Sequence, residues 1–125
     1  MANILIAEDD SLISQALTAI LEDDGHRIIG PIARASEILP AAMEAKPDLL
    51  LIDVQLSDTG CCFSVIHDVL VRMSAPILIM SGKEWPGLML PFLRKPFAPS
   101  DLRATVDRLL EEHRTLIELR FCATG

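Results

Sequence analysis

Four short stretches carry side chains suited to handling a phosphoryl group: the acidic doublet Glu8-Asp9, the isolated Asp53, the pair Ser81-Gly82 and the pair Lys95-Pro96. Asp53 is a modest nucleophile. Two further carboxylates beside it would repel one another and any incoming anion, a conflict that a divalent cation resolves. Magnesium suits such a set, because it prefers oxygen ligands, retains water and commonly takes one or two carboxylates plus a substrate phosphate. Lys95 offers a compact positive charge on a flexible stem, able to pair with a phosphoryl oxygen. The Ser81 hydroxyl can donate to another, and Gly82 beside it leaves room for the group to enter. Taken singly, these residues also read as a solvated helix start, a loop-capping aspartate, a turn serine and a surface lysine. Their joint placement is what carries the chemistry.

That placement follows from the elements around them. Asn3-Ile4-Leu5-Ile6-Ala7, Leu49-Leu50-Leu51-Ile52 and Pro76-Ile77-Leu78-Ile79-Met80 are apolar runs without polar alternation, the pattern of strands buried on both faces. Arg27-Ile28-Ile29-Gly30 predicts a short strand stopped by Pro31, and Leu90 to Arg94 a weaker fifth strand. Between them lie helical patterns. Leu12, Ile13, Ala16, Leu17, Ile20 and Leu21 form the first stripe, ended by Gly25. Ser36 is the expected N-cap of a second helix ending at Lys46-Pro47. Cys62, Val65, Ile66, Val69 and Leu70 mark a third, after a polar loop from Gln55 to Gly60. Ser100 is the expected cap of a last helix with Leu102, Val106, Leu109 and Leu110 inward. Strands alternating with helices predict an α/β fold, a doubly wound five-stranded parallel sheet between helices. In a parallel sheet every carboxyl end lies on one edge, so Glu8, Asp9, Asp53, Ser81 and Lys95 are brought together.

Composition sets the outer bounds. The 125 residues fit one domain, and 50% hydrophobic content with both charge signs supports a packed core. A formal net charge of −7 argues against non-specific binding to nucleic acid or an anionic membrane. No apolar run approaches the ~20 residues of a membrane span. The N-terminus enters the first strand without a basic region and cleavage site, so a cytoplasmic protein is expected. The cysteines, two of them adjacent at Cys61 and Cys62, fit neither a disulfide framework nor a C-x-x-C pattern. His26, His67 and His113 are scattered, without metal-ligand spacing.

Glu8-Asp9 after the first strand, Asp53 after the third, Ser81-Gly82 after the fourth and Lys95-Pro96-Phe97 after the fifth together resemble a response-regulator receiver domain, over residues 3 to 112. The resemblance implies a flavodoxin-like (βα)5 fold with Asp53 as phosphoacceptor. It implies Mg2+ held by Asp9, Asp53 and the main-chain carbonyl of Gln55, with Glu8 reaching the ion through water. Ser81, Gly82 and Lys95 would contact the phosphoryl group, and the Lys95-Pro96 peptide would be cis. The implied partners are a sensor histidine kinase or histidine phosphotransfer protein and a separate downstream protein, or the domain drains phosphate from a kinase. A homodimer is left open. Direct nucleic-acid binding and membrane insertion are not implied. Such a module is not an enzyme beyond taking up a phosphoryl group and slowly losing it.

The departures are specific. Ser81 and Lys95 are 95 − 81 = 14 positions apart, whereas a helix of ~11 residues with two loops of ~4–6 and a strand needs more than about twenty. The usual fourth helix is therefore expected to be shortened or replaced by a loop, and Pro86-Gly87 reinforces this. The sequence resembles a receiver subgroup with a Gly-containing motif after the fourth strand, here Met80-Ser81-Gly82-Lys83. Ser57 stands where many receivers have proline, and Phe92 holds the aromatic switch position. Ser81, Trp85 and Phe92 are the expected switch residues, with the segment carrying Trp85 loosely packed until a phosphoryl group arrives. The alternative is that Trp85 already anchors that loop to the core.

Two rival readings use the same residues. A haloacid dehalogenase-type phosphatase also has a strand-end aspartate, a serine and a lysine, but its general acid would stand at Gln55. A receiver-like module that only binds a partner needs none of Glu8, Asp9, Asp53 and Lys95. Thr115 to Gly125 is too short for an output domain, and reads as an extension of the last helix or a frayed tail. A receiver domain over residues 1–114, acting on a separate protein, is the expected organisation.

Overall fold

In β3 (Leu49–Asp53) and β4 (Ile77–Ser81) every residue is buried, which requires cover on both faces of the sheet. The computed structural model, which describes residues 1–56, 58 and 62–124, supplies that cover. The chain runs β1 (Asn3–Ala7), α1 (Ser11–Asp23), β2 (Arg27–Ile32), a 3-10 turn (Ala35–Glu37), α2 (Ile38–Ala45), β3, α3 (Phe63–Arg72), β4, β5 (Phe92–Arg94) and α4 (Pro99–Thr124). The five strands pair in parallel in the order β2-β1-β3-β4-β5. This is the flavodoxin-like order, with its switch point between β1 and β3.

The alternation of side chains along each strand divides the core in two. Leu5, Leu50, Ile52 and Ile79 face Ile38 and Ala42 of α2 and Ile66 and Val69 of α3. On the other side Ile4, Ile6, Leu51, Leu78 and Met80 pack with Leu17 and Leu21 of α1 and Leu102 and Val106 of α4. Helices thus cover both faces, as the unbroken apolar runs demand. Among the described residues no helix is long and apolar enough to cross a membrane.

Several local expectations are corrected. In α1 the buried positions are Ser14, Leu17 and Leu21, while Leu12 is 77% exposed. Asp10 caps the helix by accepting from the Leu12 and Ile13 amides, and this phase turns Leu12 to solvent. Ser36 does not cap α2: it lies inside the 3-10 turn, and the helix starts after Glu37 without a side-chain cap. Lys46, at φ 49°, ends α2 in the left-handed conformation. Ser100 likewise sits inside its helix. Pro99 takes the first helical position, and Asp101 reaches back to accept from the Ala98 amide at 3.3 Å. β5 is reduced to three residues, following Pro91. The segment 82–91 between β4 and β5 contains no helix, and α4 is one continuous helix through Thr124. Ser57, Gly60 and Cys61 lie outside the described residues.

Strand β2 does not stop at Pro31. It continues to Ile32 across a cis Gly30–Pro31 peptide, and its register against β1 shifts between Leu5↔Ile29 and Ala7↔Ile32. An edge strand tolerates both a proline and such a bulge. Gly30 has φ +103°, and a Cβ there would lie 2.7 Å from the Ile32 nitrogen and 2.9 Å from the Ile6 carbonyl oxygen. Both are backbone atoms that cannot step aside. Gly30→Ala is therefore expected to cost at least about 1–3 kcal/mol, visible as a lowered urea midpoint. An unchanged midpoint would show that β2 rearranges freely there.

Candidate functional site

Three carboxylates and one ammonium converge at the carboxyl edge of the sheet, across its switch point. Glu8 follows β1, Asp53 closes β3 and Lys95 follows β5. Glu8 is 2% exposed and Asp53 6%, burial that an acid tolerates only with partners. Glu8 has them on both oxygens: its Oε2 accepts from the Asp9 and Asp10 amides at 3.1 and 3.3 Å, and its Oε1 accepts from Lys95 Nζ. Asp53 Oδ1 accepts from the Gln55 amide at 2.9 Å, and Oδ2 accepts from Lys95 Nζ at 2.9 Å. Lys95 thus bridges the two buried acids. The Lys95–Pro96 peptide is cis, and the Lys95 amide donates to the Ser81 carbonyl at 2.8 Å, which ties the ends of β4 and β5 together.

Asp9, exposed beside them, completes an oxygen-donor cluster: one carboxylate oxygen from each of Glu8, Asp9 and Asp53 lies within 4.8 Å of the others. All-oxygen donors with an exposed side fit magnesium, which keeps water, better than a softer metal. Burial pushes the Glu8 carboxyl from its ordinary 4.5 up to about 7, with the Lys95 hydrogen bond opposing the rise and Asp53 adding to it. For Lys95, burial alone would lower the value, but the hydrogen bonds and charges of Glu8 and Asp53 outweigh it and hold the ammonium above its ordinary range.

The Glu8 shift has a stability consequence with a definite sign. The folded chain binds that proton more tightly than the unfolded chain, so the contribution is present below about pH 4.5 and is lost as pH rises towards about 7. In chelator, wild type is expected to lose stability relative to Glu8→Gln across this window, on the order of 1–3 kcal/mol. Urea midpoints of the two proteins against pH measure it. Parallel curves would mean that Glu8 ionises normally in the fold.

Ser81 ends β4 and is 1% exposed. Its Oγ accepts from the Lys83 amide and from Trp85 Nε1, each at 3.1 Å. Trp85 packs edge-on against Phe63, with ring centroids 5.0 Å apart at 82°, and the Leu88 amide donates to its carbonyl at 3.1 Å. Trp85 is docked on Phe63, the arrangement in which it anchors this loop to the core, because Phe63 offers an aromatic edge where no helix intervenes. Phe92 is half-buried and lines a groove of about 540 Å³ with Trp85, Pro86 and Leu88, bordered by the 2.7 Å Arg94–Glu84 ion pair. At Gly82 an added Cβ would meet nothing within 4 Å, so no neighbour requires glycine there.

Two supporting residues escaped the sequence reading. Cys62, fully buried before α3, directs its thiol to the Asp53 carbonyl at 3.3 Å and its amide to the Val54 carbonyl at 2.9 Å. Phe63 braces Trp85 from 22 positions away. Nothing in either residue's spacing signals those contacts.

Comparison with known proteins agrees with this geometry. The chain is 31% identical over 116 residues to the phyllosphere-induced regulator PhyR of Methylorubrum extorquens, covering 86% of this chain and 43% of that protein. It is 27% identical over 124 residues to the transcriptional regulatory protein PdtaR of Mycobacterium tuberculosis, covering 93% of this chain and 60% of that one. The chain thus spans about half the length of these curated relatives. Among solved structures, the receiver domain of the Erythrobacter litoralis PhyR response regulator superposes with a TM-score of 0.76 at 29% identity, over 87% of this chain and 89% of that one. The family model described as response regulator receiver domain matches residues 4–107. With the sheet order, the strand-end acids and the bridging lysine in place, the chain belongs to the response regulator receiver domain family.

Proposed function

We propose that the domain accepts a phosphoryl group on Asp53 and passes the signal on through altered protein contacts. The observation that carries this is the joint setting of Asp53: a buried strand-end carboxylate with acids on one side and Lys95 Nζ at 2.9 Å. Glu8, Asp9, Asp53 and the main-chain carbonyl of Gln55 are the groups to hold Mg2+, which when bound neutralises charge on the transferring group. An Asp53 oxygen forms the new P–O bond while the donor's bond to phosphorus breaks, its electron pair leaving with the donor. That donor is a phosphohistidine of a sensor kinase or a phosphotransfer protein. Lys95 then exchanges a carboxylate partner for a phosphoryl oxygen, Ser81 and Gly82 meet another, and the change reaches Trp85 and Phe92 as the switch.

The setting is cytoplasmic, the output partner is a separate protein, and the chemistry is signalling rather than turnover. Residues 1–114 form the receiver unit, and the rest of α4 extends it. Intact mass after incubation with a small acyl phosphate tests the proposal. A phosphoryl mass gained with magnesium and absent with chelator is expected. No gain under either condition would leave a receiver fold that only binds partners.

A further inference from the structure

A serine hydroxyl has one proton to donate and two lone pairs with which to accept. At Ser81 both lone pairs are engaged, by the Lys83 amide and by Trp85 Nε1, each at 3.1 Å. Donation of its own proton is therefore the capacity that remains. The indole N–H is a donor only, so its bond to Ser81 cannot reverse. Trp85 is also held independently of Ser81, by Phe63 edge-on at 5.0 Å and by the Leu88 amide on its carbonyl at 3.1 Å.

We propose that Trp85 is a positioning residue for phosphoryl acceptance: its indole N–H commits the Ser81 hydroxyl to donating towards the group on Asp53. This rests on Asp53 being the phosphoacceptor. Phosphoryl oxygens are acceptors, so a hydroxyl that turns its proton away to accept from Lys95 or from water gives them nothing. Filling both lone pairs removes those orientations before the phosphoryl group arrives. Trp85 touches no reacting atom and acts through Ser81 alone.

The test measures phosphorylation rates with magnesium and a small acyl phosphate in wild type, Trp85→Phe, Ser81→Ala and the double variant. Phenylalanine keeps an aromatic ring for Phe63 and removes the indole N–H along with part of the bicyclic ring, and the Ser81→Ala background separates the lost hydrogen bond from the lost volume. Trp85→Phe is expected to slow uptake roughly three- to tenfold, the range one hydrogen bond supports. In the Ser81→Ala background the same change should have no further effect, a non-additivity that a packing role would not produce. An unslowed Trp85→Phe, or equal slowing in both backgrounds, overturns the proposal. If Trp85→Phe loses the fold, the indole proton of this sole tryptophan carries the test. Its resonance must shift and its exchange must quicken in Ser81→Ala, and an unchanged indole proton overturns the proposal equally. A wild-type chain that takes up no phosphoryl group removes the assignment of Asp53 and this proposal with it, and is told apart by the wild-type rate itself.

Discussion

Asp53→Asn is expected to gain no phosphoryl mass under conditions in which wild type is fully modified. The change removes the nucleophilic oxygen and, with it, the charged acceptor that Lys95 Nζ meets at 2.9 Å. Asparagine retains a carbonyl oxygen for the Gln55 amide, which donates to Asp53 Oδ1 at 2.9 Å. The backbone of β3 stays paired to β1 and β4. The loss is therefore one of chemistry with the fold intact, checked by intact mass beside a circular dichroism spectrum. Glu8 and Asp9 are the neighbouring carboxylates that could substitute. Glu8 is occupied on both oxygens, by the Asp9 and Asp10 amides and by Lys95 Nζ. An Asp53→Asn chain that gained the same mass would move the acceptor to another residue.

Lys95→Ala is expected to tighten magnesium binding roughly tenfold while weakening the response to a phosphoryl mimic. As a contact of the phosphoryl group alone, the lysine would leave metal binding nearly untouched. The structure changes that expectation. Lys95 Nζ is bonded to both Glu8 and Asp53, so an arriving dication meets a positive charge that already holds two of its oxygens. Unit charges about 4 Å apart at an effective dielectric of ~20 interact by about 4 kcal/mol. Part of this is offset because the freed acids repel one another, and a net gain of about 1–2 kcal/mol for the metal remains. Calorimetric titration of magnesium into both proteins measures it. Weaker binding in Lys95→Ala would mean that the lysine orders the acids for the metal instead of competing with it.

What the sequence shows plainly is whatever depends on strand ends. Leu49-Leu50-Leu51-Ile52 has no polar interruption, so its burial, its parallel neighbours and the placement of Asp53 follow from pattern alone. Glu8, Ser81 and Lys95 join it because a parallel sheet leaves no other edge for them. Caps are less legible: Ser36 and Ser100 have the right side chains, yet Asp10 and the Ala98–Asp101 pair do the capping where it occurs. A cap depends on backbone angles that several nearby residues could adopt. Least legible are contacts between loops and helices distant in sequence. Trp85 on Phe63 and Ser81, and Cys62 beneath Asp53, have no periodicity to betray them.

The outer strands of the sheet bear on how the protein behaves at high concentration. β2 carries Pro31 and a register shift, and β5 is three residues long between Pro91 and Pro96. Each edge thus lacks a long, flat row of free amides and carbonyls on which another chain could template itself. Edge-to-edge aggregation and strand addition by a peptide are both disfavoured, despite a core built of strand-forming apolar runs. Solutions of the domain should stay dispersed where a sheet of the same composition with open edges would form fibrils. Recognition falls to side chains on helices and loops.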